Sequence, residues 1–471
     1  MIYQYIVFVI VVLFMAGLSV KNTKLAVQLA PLFFLTYFFK LNFWGLPLNL
    51  LEGVVLGIFF GWTINRLAER DKPPLISSQQ GQTLWEPLGS DPVALAPLIK
   101  GVGGIFLLKS VWLPVILMVV ATLISLSVVP KQLVFSDRSF ETFKIALGIL
   151  KGWILLPIVY FGLTRAVFKT ERDYQTALTL YVFTAVLLTL YSVAIAVSGW
   201  GGLEIYYNRL RGPFASPNYL AFYLGPALVF VGLKVLNGLW KEGGSNPPNP
   251  PYQGGRLAVH LLFVFILTIG FFWTRSYAAW LAVFSVMFVG SLVKFPRQRG
   301  KLISLGLILL LCAFFSQLYT RKWAQFLDLE RQSSSSTRLE VWTVAVNLIQ
   351  QSPLRGIGLG QFEARYHEQA TVILGHRPYE KEMLHPHNLY LTFWLYAGFL
   401  GLVALIWLII LVFKKINWHS EQSWICGMML LSVLLHGLFD TPFWKSDCSL
   451  LFWLIVAGCL SASSVKNTSM V

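Results

Sequence analysis

The sequence predicts an all-α polytopic membrane protein, with about 12–14 transmembrane helices and one long extracytoplasmic loop that holds an amphipathic helix. Three observations predict it. Hydrophobic residues make up 56% of the 471 residues and charged residues only 12%, roughly half the charge of a soluble globule. The mean hydropathy is +0.65. The apolar residues come in long runs, near the length that crosses a hydrocarbon core, rather than in helical stripes. The 17 Trp and 18 Tyr suit interfacial belts at the headgroup level.

Taken in order, the apolar runs fall near 2–20, 25–39, 46–64, 112–129, 143–164, 175–198, 218–236, 257–273, 277–294, 302–319, 388–413, 422–437 and 448–463. The first has no Lys or Arg before it, while Lys21 and Lys24 follow. A cleavable signal carries its charge first, so this run reads as a retained span with its N-terminus outside. On that count the cytoplasmic loops carry Arg66, Arg70 and Lys72; Arg165, Lys169 and Arg172; Lys294, Arg297, Arg299 and Lys301; and Lys414 with Lys415. That is the positive-inside pattern. It accounts for the net charge of +16 without a nucleic-acid partner, since no basic patch interleaves with aromatics on a soluble element.

Asp91–Leu108, which holds Lys100, reads as an interfacial helix, and Asn237–Gly255 with its NPPNPP run as a cytoplasmic linker without helical potential. The cysteines Cys312, Cys426, Cys448 and Cys459 lie in or at the ends of apolar runs, with neither disulfide nor zinc spacing, and read as core packing. The chain therefore divides into transmembrane helices over 1–318, an extracytoplasmic loop domain over 319–386, and C-terminal transmembrane helices over 387–471.

The loop is the break in the rhythm. Loops this long are functional or disordered, and the middle of this one, RLEVWTVAVNLIQQ, sets Leu339, Trp342, Val346 and Ile349 at helical spacing. Ser333–Thr337 offers an N-cap. A helix lying on the outer membrane surface is the simplest picture.

Several residues on the same side carry chemistry. His387 and Asn388 stand where the loop re-enters the membrane, and His385 is two residues before. Histidine exchanges a proton near neutral pH, so His387 fits a base that activates a sugar hydroxyl; a helix-capping role fits the same spacing. A zinc site on His385 and His387 lacks a third and fourth ligand at known spacing. In YYNRLRGPFASPNYL, Arg209 and Arg211 precede a Gly-Pro turn and Asn218 opens the next span. Guanidinium groups grip phosphate in a bidentate fork, and on the outer face they oppose the insertion bias; headgroup anchoring is the alternative. Arg275 sits at the apex of a tight reversal, as a ligand for charge or snorkelling from a helix end. Arg338 starts the amphipathic helix. In PLRGIGLGQF, Gly356 and Gly358 either let backbone N–H groups approach an anion or simply form a turn; the strand–helix context of a dinucleotide fingerprint is missing. His436 and Asp440, four apart, would share a face on a continuing helix and pair or orient a partner.

In this order the pieces resemble the O-antigen ligase and polymerase superfamily of bacterial membrane glycosyltransferases. The matching elements cover roughly residues 200–445. Arg209, Gly212 and Asn218 match R-x-x-G followed by N at a span entrance, and Thr274 with Ser276 matches T-x-S. Arg338, Trp342, Pro353, Gly356 and Gly358 match R…W leading to P-x-x-G-x-G, and His387, Asn388, Gly398 and Gly401 match H-N with G-x-x-G. One position departs: the family places an arginine directly after the serine of T-x-S, where this chain has Tyr277 and carries Arg275 two residues earlier.

The resemblance implies a GT-C-like fold in the bacterial inner membrane, with the active site facing the periplasm. It implies an inverting, metal-independent transfer without cofactor, from an undecaprenyl-pyrophosphate-linked glycan to a lipid-core, glycan or protein acceptor. His387 would deprotonate the acceptor hydroxyl, and Arg209, Arg211 and Arg275, helped by Arg338, would hold the pyrophosphate. A polymerase joining repeat units is the first alternative. A small-anion transporter of the bicarbonate type is the second; it needs charge inside the spans, and the candidates Lys151 and Lys234 lie near span ends.

Overall fold

The computed structural model describes residues 2–43, 46–70, 110–199, 205–206, 209–241, 252–318 and 333–461. The helix expected over 91–108, Lys72 and loop residues 319–332 lie outside the described residues. The helices are α1 (Ile2–Leu29), α2 (Leu50–Arg70), α3 (Trp112–Leu126), α4 (Thr142–Ile149), α5 (Leu156–Val167), α6 (Glu171–Ser198), α7 (Pro217–Lys241), α8 (Tyr252–Trp273), α9 (Tyr277–Lys294), α10 (Arg299–Gln317), α11 (Ser334–Gln351), α12 (Phe362–Leu374), α13 (Leu389–Lys415), α14 (Glu421–His436) and α15 (Ser446–Cys459). Among the described residues, eight helical segments are long and apolar enough to cross a membrane and three shorter ones are apolar. The only strands there form small antiparallel hairpins, such as Lys40–Phe43 with Leu46–Asn49. The protein is an all-α polytopic membrane protein.

The first two apolar runs belong to one element, α1 continued by a 3-10 segment, Ala30–Phe38. Asn22, at φ −154° and ψ 85°, breaks it. A Cβ on Gly57 would meet the Val12 carbonyl and one on Gly61 the Ala16 carbonyl, so the first leg of α1 and α2 run parallel. Tyr5 at the start of α1 bonds Asn42 in the hairpin before α2, while Lys24 pairs with Asp173 at the start of α6 (3.1 Å). The chain therefore turns back at Asn22, and the two runs are antiparallel legs. α7 continues to Lys241 and α8 begins at Tyr252, so the linker expected over 237–255 shrinks to 242–251, outside the described residues.

Polar contacts sort to two ends. At one end lie Lys24–Asp173, Arg165 to the Leu460 carbonyl (2.9 Å), Ser420 to Glu171 (2.6 Å), Lys234–Glu421 (2.7 Å) and Lys294 to the Trp418 carbonyl (3.2 Å). At the other lie the 40–49 hairpin, Lys151–Glu52 (2.7 Å) and the residues of the site described below. Between them α15 is buried along its whole length, with Trp453 at its centre. Lipid offers no hydrophobic drive for bringing helices together, so packing and interhelical hydrogen bonds must do it. Ser449 Oγ to the Trp153 carbonyl and Ser423 Oγ to the Cys459 carbonyl, both 2.7 Å, are of that kind.

The described part of the loop domain folds as α11 and α12 against α13. Ser333 caps α11 in a box with Ser336. The buried face of α11 is Val341, Val344, Ala345 and Leu348, with Ile349, whereas Leu339 and Val346 are exposed. The expected stripe is therefore corrected. This helix is apolar on two sides, and contact with α12 and α13 selects the other one. The glycine motifs meet here too. Gly398, at φ 65° and ψ −175°, breaks α13, and a Cβ on it would lie 2.1 Å from the Leu354 carbonyl. The loop 353–358 seats on that break through Ile357 N–H to the Leu395 carbonyl (2.8 Å) and Trp394 Nε1 to the Pro353 carbonyl (2.8 Å).

Candidate functional site

Four stretches distant in sequence converge on the end of the bundle opposite Lys24 and Asp173: 209–219, 274–276, 385–388 and 436–447. Asn388 is the N-cap of α13, accepting from Tyr390 and Leu391 N–H at 3.0 Å each, and its Nδ2 donates to the Leu438 carbonyl (2.9 Å). His387, just before the cap, takes φ 49°, and Arg275 takes φ 46°. Among the described residues these are the only non-glycine residues with positive φ. Such backbone costs of order 1–3 kcal/mol at a non-glycine residue and gathers where function holds it.

His387 Nδ1 lies 3.0 Å from Asp440 Oδ1. Asp440 is 1% exposed and the His387 side chain 26%. Asp440 Oδ2 accepts from Asn218 Nδ2 (2.8 Å), Asn218 Oδ1 accepts from Arg209 Nη2 (2.9 Å), and Arg209 Nε donates to the Thr274 carbonyl (2.8 Å). Guanidinium only donates and an ionised carboxylate only accepts, so the polarity of the whole relay is fixed. Asp440 must therefore accept the hydrogen bond from His387 Nδ1–H, and in that tautomer a neutral imidazole presents Nε2 as the proton acceptor. Burial alone would raise the Asp440 pKa. His387 beside it, the hydrogen bond between them, and then His385 and Arg338 hold it far below the usual carboxylate range.

His385 completes the constellation. Its Nδ1 faces His387 N–H at 3.4 Å and its Nε2 lies 2.9 Å from the Tyr219 hydroxyl. Burial, and then His387, push its pKa down to about 3, so it is neutral in the physiological range. Arg338 Nε donates to the Phe439 carbonyl (2.9 Å) and braces the turn that carries Asp440. Arg211 Nη1 reaches the Phe214 carbonyl (3.3 Å).

The geometry thus joins Arg209, Asn218, His387 and Asp440 directly, with His385 and Arg338 against them. It also shows what the remaining expected groups contact. Asp440 pairs with His387 and not with His436, because α14 ends at His436 and the shared helical face ends with it. His436 instead packs on Phe222, ring centroids 4.7 Å apart. Asn388 caps α13. Gly356 and Gly358 lie in a packed turn: Gly356 N–H bonds the Ser352 carbonyl (2.9 Å), and Cβ atoms on the two glycines would meet the Leu395 carbonyl at 2.3 Å and Val129 Cγ2 at 2.7 Å. Arg275 follows the Thr274 that anchors Arg209, yet its side chain lines a separate cavity with Phe265 and Gln317.

The sequence reading missed Tyr219, although it directly follows Asn218, and Lys445. Lys445 is buried, pairs with Asp447 (3.0 Å) and lies 5.3 Å from the Tyr219 ring centre. No spacing pointed to it. Asp440 also adds a third candidate metal ligand to His385 and His387, the three ligand atoms lying within 4.8 Å of one another. Asp440 already receives hydrogen bonds from His387, Asn218 and Thr441. As arranged, the set fits the relay better than a metal.

A family model described as O-antigen ligase matches residues 262–406, which hold Arg275, Arg338 and His387. The O-antigen ligase of Salmonella typhimurium (strain LT2) is 33% identical over 216 residues, covering 43% of this chain and 48% of that protein. The chain spans about half the length of this curated relative. Together the two matches support the O-antigen ligase superfamily.

Proposed function

We propose that the chain, as a member of the O-antigen ligase superfamily, transfers a glycan from an undecaprenyl-pyrophosphate carrier to an acceptor hydroxyl at the periplasmic face of a bacterial inner membrane. The observation that carries this reading is the relay from Arg209 through Asn218 and Asp440 to His387, which ties a guanidinium of the kind that grips phosphate and an imidazole able to accept a proton into one hydrogen-bonded chain. The acceptor hydroxyl gives its proton to His387 Nε2 as its oxygen attacks the anomeric carbon. The carbon–oxygen bond to the pyrophosphate breaks, with inversion, and the released charge falls to Arg209 and Arg211. Buried Asp440 stabilises the imidazolium. No nucleotide enters this scheme, because the departing pyrophosphate supplies the driving force; metal-independence is what the family resemblance implies.

The orientation rests on the positive-inside rule: Arg165 and Lys294 stand at the end opposite His387. Lys151 and Lys234, the residues a transporter would use, are paired with Glu52 and Glu421 at opposite ends of the bundle. The test is His387→Ala in cells and in purified membranes. Surface glycan transfer should vanish while the protein stays folded and inserted; normal transfer would remove the proposal. Whether the product is a glycan on a new acceptor or a lengthened carrier-linked chain separates ligase from polymerase.

A further inference from the structure

Tyr219 stands outside the relay but against it, one residue after Asn218 in the first turn of α7. Its hydroxyl lies 2.9 Å from His385 Nε2. The other nitrogen of that ring, Nδ1, faces the His387 N–H at 3.4 Å, and a backbone N–H only donates. Nδ1 is therefore the acceptor. Burial keeps His385 neutral, so its one ring proton sits on Nε2, and Nε2–H donates to the Tyr219 oxygen. The hydroxyl hydrogen of Tyr219 is thus turned away from His385. Like the relay, this second chain has a fixed polarity, but it ends in a donor where the relay ends in a proton acceptor.

The ring is held as well as the hydroxyl. Lys445 Nζ lies 5.3 Å from the Tyr219 ring centre and 4.1 Å from that of Phe214, and it pairs with buried Asp447 (3.0 Å). The His385 ring stands edge-on to both neighbours, with centroids 6.2 Å from Tyr219 and 4.6 Å from His387. One imidazole therefore separates Tyr219 from His387, and both keep partial exposure. We propose that Tyr219 is a further catalytic residue, whose hydroxyl donates a hydrogen bond to an oxygen of the acceptor beside the hydroxyl that His387 deprotonates, with His385 as the positioning residue that turns it there. A polyhydroxy acceptor offers such a neighbouring oxygen. Tyr219 keeps its proton throughout; its bond orients the attacking oxygen toward the anomeric carbon. This rests on the proposed transfer for the identity of the reaction.

The experiment uses the full chain in membranes of its own cells, which carry the native donor and acceptor, beside membranes of a deletion strain. Tyr219→Phe, which loses only the hydroxyl, should lower transfer roughly tenfold. A fluorinated tyrosine at position 219 keeps the shape and has a phenol more acidic than that of tyrosine, whose pKa is about 10. While that phenol is protonated, transfer should match the parent. As pH rises through its pKa, transfer should fall roughly tenfold, a basic limb that the parent lacks in the same range. The phenolate still accepts from His385 Nε2–H, so a hydroxyl with a merely structural role predicts no such limb. His385→Phe should also lower transfer, and Tyr219→Phe should add little to it. Parent-like transfer in Tyr219→Phe, or a fluorinated variant without the basic limb, overturns the proposal. Transfer that persists in the deletion strain sinks the transfer reading itself.

Discussion

Replacing Asp440 by asparagine keeps the shape of the side chain and removes its charge, which isolates what the carboxylate does for His387. In the native arrangement Oδ1 accepts from His387 Nδ1 (3.0 Å) and Thr441 N–H (2.9 Å), and Oδ2 accepts from Asn218 Nδ2 (2.8 Å). An amide offers one oxygen and one NH2 group. With its oxygen toward His387, the NH2 confronts the NH2 of Asn218, and turning Asn218 over sets that group against Arg209. With its NH2 toward His387, the imidazole must carry its proton on Nε2 and can no longer accept one. Losing a charge-assisted bond costs about 1.5–3 kcal/mol and leaving a buried donor unpaired about 1–3 kcal/mol. Part of this falls on the ground state, so about 2–4 kcal/mol remains on the barrier, roughly 30- to 1,000-fold in kcat/KM. The assay is transfer from a lipid-linked glycan by the full chain in nanodiscs, beside a thermal melt. A folded variant within threefold of the parent would refute the relay.

Other substitutions test its neighbours. Arg209→Ala removes the donor to Asn218 and the tie to Thr274; KM for the lipid-linked donor should rise roughly tenfold or more, with the acceptor KM little changed. Equal effects on both would count against a pyrophosphate role. Gly398→Ala puts a Cβ 2.1 Å from the Leu354 carbonyl at a positive φ, so the melting temperature should fall by an amount equivalent to at least about 2 kcal/mol. An unshifted melt would show that loop 353–358 does not depend on the break in α13.

The transmembrane architecture was legible in the sequence because a bilayer imposes one length on every span and one charge bias on every loop. Even the two legs of α1, which form a single element, were visible as two runs, since Lys21 and Lys24 flank the turn at Asn22. Partners inside the site were less legible. His387 and Asp440 are 53 residues apart, and helical periodicity proposes His436 for Asp440 because it assumes a helix that in fact ends at His436. The same limit applies to motif residues whose contacts here are structural. Asn388, Gly356 and Gly358 stand in the same short motifs as His387 and Arg338, and a motif does not distinguish a side chain held for chemistry from a backbone held for shape. Here the two are coupled. The cap made by Asn388 fixes the start of α13, the glycine contact at Gly398 fixes the course of that helix below it, and His387 in its positive-φ conformation stands on both. Residues outside the relay can then set the position of the proposed base, and the bonds of Asn388 to the Leu438 carbonyl and of Arg338 to the Phe439 carbonyl carry that constraint across to the turn bearing Asp440.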